Sequence, residues 1–172
     1  MRLLRQDGFT LIELMVTISV MAILLAIAVP SFSQFIINNR LTSQINQLVS
    51  DISLARSESA TRGARIAICT STDGATCAGA GSWEQGRIVF VDTNNDGAHQ
   101  TAEPLLKVTE QLSGSNTLAL SSGAFFIQFR PYGGLSPAAG VSFHLCSPSS
   151  ATGKQVAVAA TGRPLVTTVA CP

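Results

Sequence analysis

A single carboxylate, Glu13, stands inside an apolar run that extends from Leu11 to Val29. Centring a charge in a bilayer costs about 2.5–3.5 kcal/mol on insertion scales. The chemistry such an acid offers is charge pairing with a partner that needs it. The leader ahead of the run, Met1–Gly8, carries Arg2 and Arg5, and it ends at a Gly8-Phe9 junction. A basic leader, that junction and an acid at the fifth residue beyond it predict cleavage between Gly8 and Phe9, followed by assembly. A simple signal anchor would explain the hydrophobicity and the arginines but would give Glu13 no role.

A second set of chemically apt residues is Asp92-Thr93-Asn94-Asn95-Asp96-Gly97, with Glu103 six residues after the glycine. This fits the spacing of a calcium loop, in which hard carboxylate and amide oxygens surround the ion. The context is wrong for a helix–loop–helix site, because a strand pattern precedes it and Pro104 follows. The same residues make a polar β-turn, since Asp, Asn and Gly supply turn conformations. The turn is the reading taken, with no metal assigned to the chain.

Cys69, Cys77, Cys146 and Cys171 form no Cys-x-x-Cys pair, and no histidine cluster accompanies them. In an exported domain disulfides are favoured over zinc. Of the three possible pairings, Cys69–Cys77 and Cys146–Cys171 each close one local loop and are preferred; free buried thiols are the alternative. His144 lies two residues from Cys146, on one face of a predicted strand, which hints at a thiol site but fits a packed histidine beside a disulfide better. No Gly-x-Ser-x-Gly elbow, His-Glu-x-x-His or phosphate-binding loop occurs in the sequence. The carboxylates Glu58 and Glu84 have no visible partnership. The chain reads as a substrate of processing enzymes, not as an enzyme, and no cofactor is implied.

The elements that position these residues follow from periodicity. The nineteen residues of the apolar run, Glu13, Thr17 and Ser19 among them, span about 28 Å at 1.5 Å each, close to a bilayer's hydrocarbon thickness. A secretory signal would have a shorter apolar core with its cleavage site after it; here the cut lies before the run, so the run is retained. Pro30 should kink or loosen the helix, because its ring removes a backbone donor. Beyond it Leu41, Ile45, Leu48, Ile52 and Ala55 recur on one helical face. Asn46, Gln47, Asp51, Ser53 and Arg56 are assigned to the wet side. Arg62-Gly63 supplies a cationic last turn and a stop. The prediction is one helix over about residues 9–62, about 80 Å long. The chain then divides into a cleaved leader (1–8), a membrane and assembly helix (9–30) and a head (31–172).

The remainder alternates short apolar runs with Gly, Ser, Asn and Pro. Ala64–Cys69, Arg87–Asp92, Leu105–Glu110, Thr117–Leu120, Phe125–Arg130, Val141–Cys146 and Gln155–Ala159 are predicted strands. The Cys69–Cys77 segment and Ser147–Lys154 are predicted loops. Gly162-Arg163-Pro164 is a turn before a last strand. One helix followed by such strands gives an α+β fold, with a β-sandwich-like antiparallel head packed on the helix. Loss of Arg2, Arg5 and Asp7 with the leader would reduce eleven basic and ten acidic residues to nine of each. A neutral mature chain argues against strong nonspecific attraction to nucleic acid through bulk charge.

Gly8-Phe9-Thr10-Leu11-Ile12-Glu13-Leu14 resembles the processing signal of type IV pilins and pseudopilins. Ala55-Arg56-Ser57-Glu58-Ser59-Ala60 and Trp83-Glu84-Gln85-Gly86-Arg87-Ile88-Val89-Phe90 resemble a subset, the FimT and FimU minor pilins and the GspH-type pseudopilins of type II secretion. The resemblance implies a pilin-like head. It implies that a prepilin peptidase of the inner membrane cuts after Gly8, and that Phe9 is N-methylated. It implies that Glu13 neutralises the N-terminal amine of a neighbouring subunit, and that the partners are other pilins or pseudopilins met through the N-terminal helix. The implied location is a single pass of the inner membrane with the head in the periplasm, then a filament, near its tip. The implied role is a minor subunit that primes or caps a pilus, or its equivalent in a secretion pseudopilus. Some FimT-like members bind DNA during uptake through a C-terminal Gly-Arg-x-Arg segment. Here Gly162 and Arg163 match, but Leu165 replaces the second arginine, with Lys154 and Arg130 as possible additional DNA contacts. One arginine fewer means one phosphate fewer neutralised, so weaker and less salt-dependent binding.

Overall fold

A computed structural model describes residues 9–79 and 82–171. The predicted leader, including Gly8, lies outside the described residues. Helix α1 spans Leu11–Arg62. Thr10 caps it: its hydroxyl accepts the Glu13 amide at 3.3 Å and its carbonyl accepts the Leu14 amide at 3.2 Å. Thr10 and Glu13 therefore occupy the N-cap and N3 positions of a Thr-x-x-Glu capping pattern. At the other end Arg62 pairs with Glu58 one turn earlier, and Gly63 turns the chain with φ +61°. The helix runs through Pro30 without a break in its assignment.

The chain divides into two compact units, Met1–Asn38 and Asn39–Pro172. In the first, the hydroxyls of Thr17 and Ser19 donate to the carbonyls of Leu14 (2.9 Å) and Met15 (2.7 Å). The helix thus satisfies its own hydroxyl side chains inside the apolar run. In the second unit α1 buries Leu41, Ile45, Leu48, Ile52 and Ala55, the predicted stripe, together with Gln44, Asp51 and Ser59. Every buried apolar side chain among the described residues lies at Leu41 or later. The hydrophobic core is therefore complete within residues 39–172, and this head has what it needs to fold alone.

Among the described residues nine strands follow: β1 Ile66–Thr70, β2 Arg87–Val91, β3 Leu105–Thr109, β4 Thr117–Leu120, β5 Phe126–Phe129, β6 Leu135–Ser136, β7 Val141–Cys146, β8 Thr152–Val158 and β9 Pro164–Ala170. They form two antiparallel sheets, ordered β3-β2-β1-β5-β6 and β4-β7-β8-β9. The architecture is α+β, with α1 packed on antiparallel sheets. β1 and β2 are buried along their whole length. Pairing of Ala67 with Phe90 and Cys69 with Ile88 puts these four on one face, a cluster joined by Cys77 and Phe126. Arg87 and Val89, on the opposite face, look toward α1, as the contact between Arg87 and Asp51 shows. Two-sided burial explains why these strands read as continuous apolar runs rather than alternating ones. The second sheet is anchored by a 3-10 turn at Trp83–Gln85: the Trp83 ring meets Phe143 edge-on at 4.8 Å, and its indole N–H donates to Ala124 at 2.9 Å.

Three elements differ from expectation. The two-residue β6 and the Trp83–Gln85 turn are too short to leave a periodic signal. β8 begins at Thr152, so Lys154 lies in a strand and not in a Ser147–Lys154 loop. Gly153 permits this, because a Cβ there would stand 2.3 Å from the Leu145 carbonyl oxygen and 2.5 Å from Cys171 Sγ.

Candidate assembly stem and cationic face

The N-terminal unit has the makings of an interface. Phe9 is 86% exposed, and the large apolar side chains from Leu11 to Phe35 are exposed as well. Among the described residues this helix alone is long and apolar enough to cross a membrane, and its most apolar window buries nothing within the chain. Glu13 stands in the first turn, where the helix dipole favours a negative charge. This surface is apolar enough to suit lipid or other helices, and Glu13 is the one carboxylate on it.

The head is held to its helix by a buried charge cluster. Arg87 Nε lies 2.6 Å from Asp51 Oδ2 and Nη2 lies 2.6 Å from the same oxygen. Lys107 Nζ is 2.6 Å from Oδ1, and Thr109 Oγ1 donates to Oδ2 at 3.1 Å. The Asp51 and Arg87 side chains are fully buried. Arg87 Nη1 has no hydrogen-bond partner. Burial lowers the Arg87 pKa, and the Asp51 charge opposes that shift. Asp51 was expected on the wet side; it is buried because it lies three residues after Leu48 and four before Ala55, on the packed stripe itself. That spacing was the available signal.

The candidate calcium ligands are engaged by protein donors. Asp92 accepts the amides of Asn95 (2.7 Å), Asp96 (3.2 Å) and Gly97 (3.0 Å) and the Gln128 side-chain amide (2.6 Å). Glu103 accepts the Thr93 amide (2.7 Å) and hydroxyl (2.9 Å) and the Gln100 amide (3.1 Å). Asp96 accepts the Ala98 amide (2.8 Å), and this bond, chiefly, lowers its pKa. Asn95 adopts φ +66°. These are the bonds of a tight turn, and among the described residues no group of three or more His, Cys, Asp or Glu is arranged to hold a metal.

The disulfides join Cys69 to Cys77 and Cys146 to Cys171, with Cα separations of 5.7 and 5.8 Å. The bond to Cys171 removes the thiol that a His144–Cys146 site would need. Within the first loop Asp73 accepts the Thr76 hydroxyl (2.7 Å) and the amides of Thr76 and Ala75 (both 2.8 Å). These bonds hold its carboxyl well below the usual range.

The candidate DNA contacts separate into two places. The turn at Arg163 is closed by Ala159 N–H donating to the Arg163 carbonyl (3.0 Å) and Gly162 N–H to Ala159 (2.8 Å). It abuts the turn that follows Arg130, because a Cβ on Gly162 would lie 2.1 Å from the Gly133 carbonyl oxygen. Arg130 donates to the Tyr132 hydroxyl at 3.1 Å. Arg56, reaching from α1, lies over both glycines: added Cβ atoms would be 3.1 Å from its Cγ at Gly133 and 3.2 Å from its Cδ at Gly162. Arg56, Tyr132, Gly133 and Pro164 line a groove of about 300 Å³. The turns that carry Arg130 and Arg163 thus abut, and Arg56 lies over both, a third cation that sequence reasoning missed. Lys154 does not join them. It pairs with Thr168, four residues along from the Val158–Pro164 rung, so about 13 Å away.

Residues 44–162 match the family described as type II transport protein GspH, and residues 3–29 match the prokaryotic N-terminal methylation motif. The fold is similar to two crystal structures of the type IV minor pilin FimU of Pseudomonas aeruginosa PAO1. One has a TM-score of 0.60 at 21% identity, over 80% of this chain and 92% of that one. The other, in a second crystal form, has a TM-score of 0.59 at 20% identity, over 73% and 91%. The head from α1 to the Gly162 turn, the methylation motif at its front and the pilin fold together make this chain a member of the GspH family.

Proposed function

We propose that this chain is a minor type IV pilin, a structural subunit that primes or caps pilus assembly. The observation that carries the reading is the exposed apolar stem with Glu13 as its one carboxylate near the start. In this reading a prepilin peptidase of the inner membrane cuts between Gly8 and Phe9, and Phe9 becomes a methylated N-terminus. The stem spans the inner membrane once with the head in the periplasm. On extraction Glu13 meets the amine of a neighbouring subunit. Two charges in low dielectric are each costly, and pairing offsets much of the cost while fixing axial register. The same physics would serve a pseudopilus of type II secretion; loss of pili rather than of secretion on deletion distinguishes the two.

The test is Glu13→Ala. Membrane insertion should be intact, while incorporation into sheared filaments falls by about tenfold or more, because an unpaired amine costs several kcal/mol. Normal incorporation would refute the pairing. A second reading, a DNA-binding minor pilin for uptake, is favoured by Arg56 lying over the abutting turns that carry Arg130 and Arg163, with Tyr132 in the same groove. None of the three enters an ion pair among the described residues. Gel retardation of the head on duplex DNA, with an Arg163→Ala control, decides it: absence of a salt-sensitive shift removes this reading.

A further inference from the structure

The last strand, β9, is an open edge. It follows the stretch matched to the GspH family, and among the described residues no strand pairs with its outer side. Two hydrogen bonds fix which backbone groups point outward: Ala159 N–H donates to Arg163 C=O, and Cys171 N–H donates to Ala151 C=O. Both continue the β8–β9 register by one step at either end. Odd-numbered residues of β9 therefore bond to β8, and Val166, Thr168 and Ala170 present their N–H and C=O groups away from it. Pro164 presents a carbonyl on the same side and has no N–H.

Natural edges are blunted by charge, brevity or proline within the strand. β6 has two residues, β4 has four, and β3 carries Lys107. β9 has seven residues, Pro-Leu-Val-Thr-Thr-Val-Ala, with no charge and its proline at the first position. Leu165 is 64% exposed and Val166 41%. The strand is also prevented from fraying. The Cys146–Cys171 disulfide ties its end to β7, and a glycine at 153 lets the chain pass that bond. A fixed strand loses less entropy on pairing.

We propose that β9 is a docking edge for a second copy of this chain, paired antiparallel about a two-fold axis at Thr167. The register follows from the backbone. With Thr167 opposite its counterpart, Val166 exchanges two hydrogen bonds with Thr168 of the other copy, and Thr168 exchanges two with Val166. Each Ala170 N–H then meets the opposite Pro164 carbonyl, for six bonds in all. Moving the axis to Val166 leaves four, because Pro164 cannot donate to Thr168. Moving it to Thr168 keeps six but sets Leu165 against Cys171; the Thr167 axis sets it against Val169, an apolar cross-strand pair. The two Lys154 side chains are then three strand spacings apart, about 14 Å, beyond the screening length of about 8 Å in physiological salt. The pairing is confined to the head and does not depend on the stem's role.

The experiment is sedimentation equilibrium of the head, residues 39–172, from about 10 μM to about 1 mM, the range in which a single strand pair associates. The apparent mass should rise toward twice the monomer. Amide exchange at Val166, Thr168 and Ala170 should slow with concentration, while Leu165, Thr167 and Val169 are slow throughout. Thr167→Lys and Thr167→Glu heads should each associate at least about tenfold more weakly, because the axis puts like charges directly opposite. Mixing the two should restore association. A wild-type head that stays monomeric at the top of the range overturns the proposal. So does a Thr167→Lys head that dimerises normally, or a mixture that does not re-associate.

Discussion

Removing the Asp51 carboxylate should be among the most damaging single changes to the head. In Asp51→Ala the Arg87 guanidinium remains fully buried, and the one ionic partner it has among the described residues is gone. Lys107, about one-third exposed, can swing to water; Arg87 cannot. Breaking a buried pair from one side costs about 3–5 kcal/mol. A domain of this size has about 5–15 kcal/mol in total. With a urea slope of about 2 kcal/mol/M, the unfolding midpoint of the head should fall by about 1.5–2.5 M. The double variant Asp51→Leu/Arg87→Met removes both charges and keeps the volume. It should recover most of the loss, because the penalty lies in the orphaned charge rather than in the pair's own attraction. Urea unfolding followed by tryptophan fluorescence reads the result, Trp83 being the one tryptophan and buried. A loss in Asp51→Ala below about 1 kcal/mol, or a double variant no better than the single one, would refute the reasoning.

The remaining predictions are simpler. Reduction of the natively produced protein should raise its intact mass by about 4 Da, two hydrogens per bridge, and finding four free thiols would contradict both disulfides. Calorimetry of the head with calcium against a chelator should give the same midpoint, because the carboxylates of Asp92, Asp96 and Glu103 already serve the turn; a raised midpoint with calcium would overturn the turn reading. Asp73→Asn should lower stability at neutral pH. Because the folded pKa of Asp73 is depressed, its contribution is present above the ordinary 3.8 and is lost as pH falls below it. The wild type and the variant should therefore converge in acid, and a gap that widens on acidification would count against the hydrogen bonds to Thr76 and Ala75. Gly162→Ala should cost more than about 1 kcal/mol in thermal melts, since φ is +78° and the new methyl would meet the Gly133 carbonyl. A neutral result would argue that the two turns do not abut.

Much of this architecture was legible because its signals are local. The stripe from Leu41 to Ala55 needs only helix periodicity. Most strands needed only runs bounded by turn residues, and the two disulfides needed only short loops to close. What escaped depended on contacts between distant segments. Asp51 looks solvated until Arg87, 36 residues on, is brought against it. Arg56 reads as an ordinary surface cation until two glycine turns, after Arg130 and before Arg163, are folded beneath it. Lys154 looked like a neighbour of Arg163 on a loop, but a strand carried it away along a ladder. A β-ladder converts sequence proximity into distance at more than 3 Å per residue, and turns do the opposite.

The hydroxyls of Thr17 and Ser19 have a further consequence. Both are already bonded to the carbonyl of the preceding turn. Were the stem to trade acyl chains for protein, as the proposed function requires, neither group would have to seek a new acceptor. Of the polar side chains between Leu11 and Val29, Glu13 alone makes no side-chain bond within its own helix among the described residues, so in the proposed assembly it is the one group whose demand would stop the span from sliding.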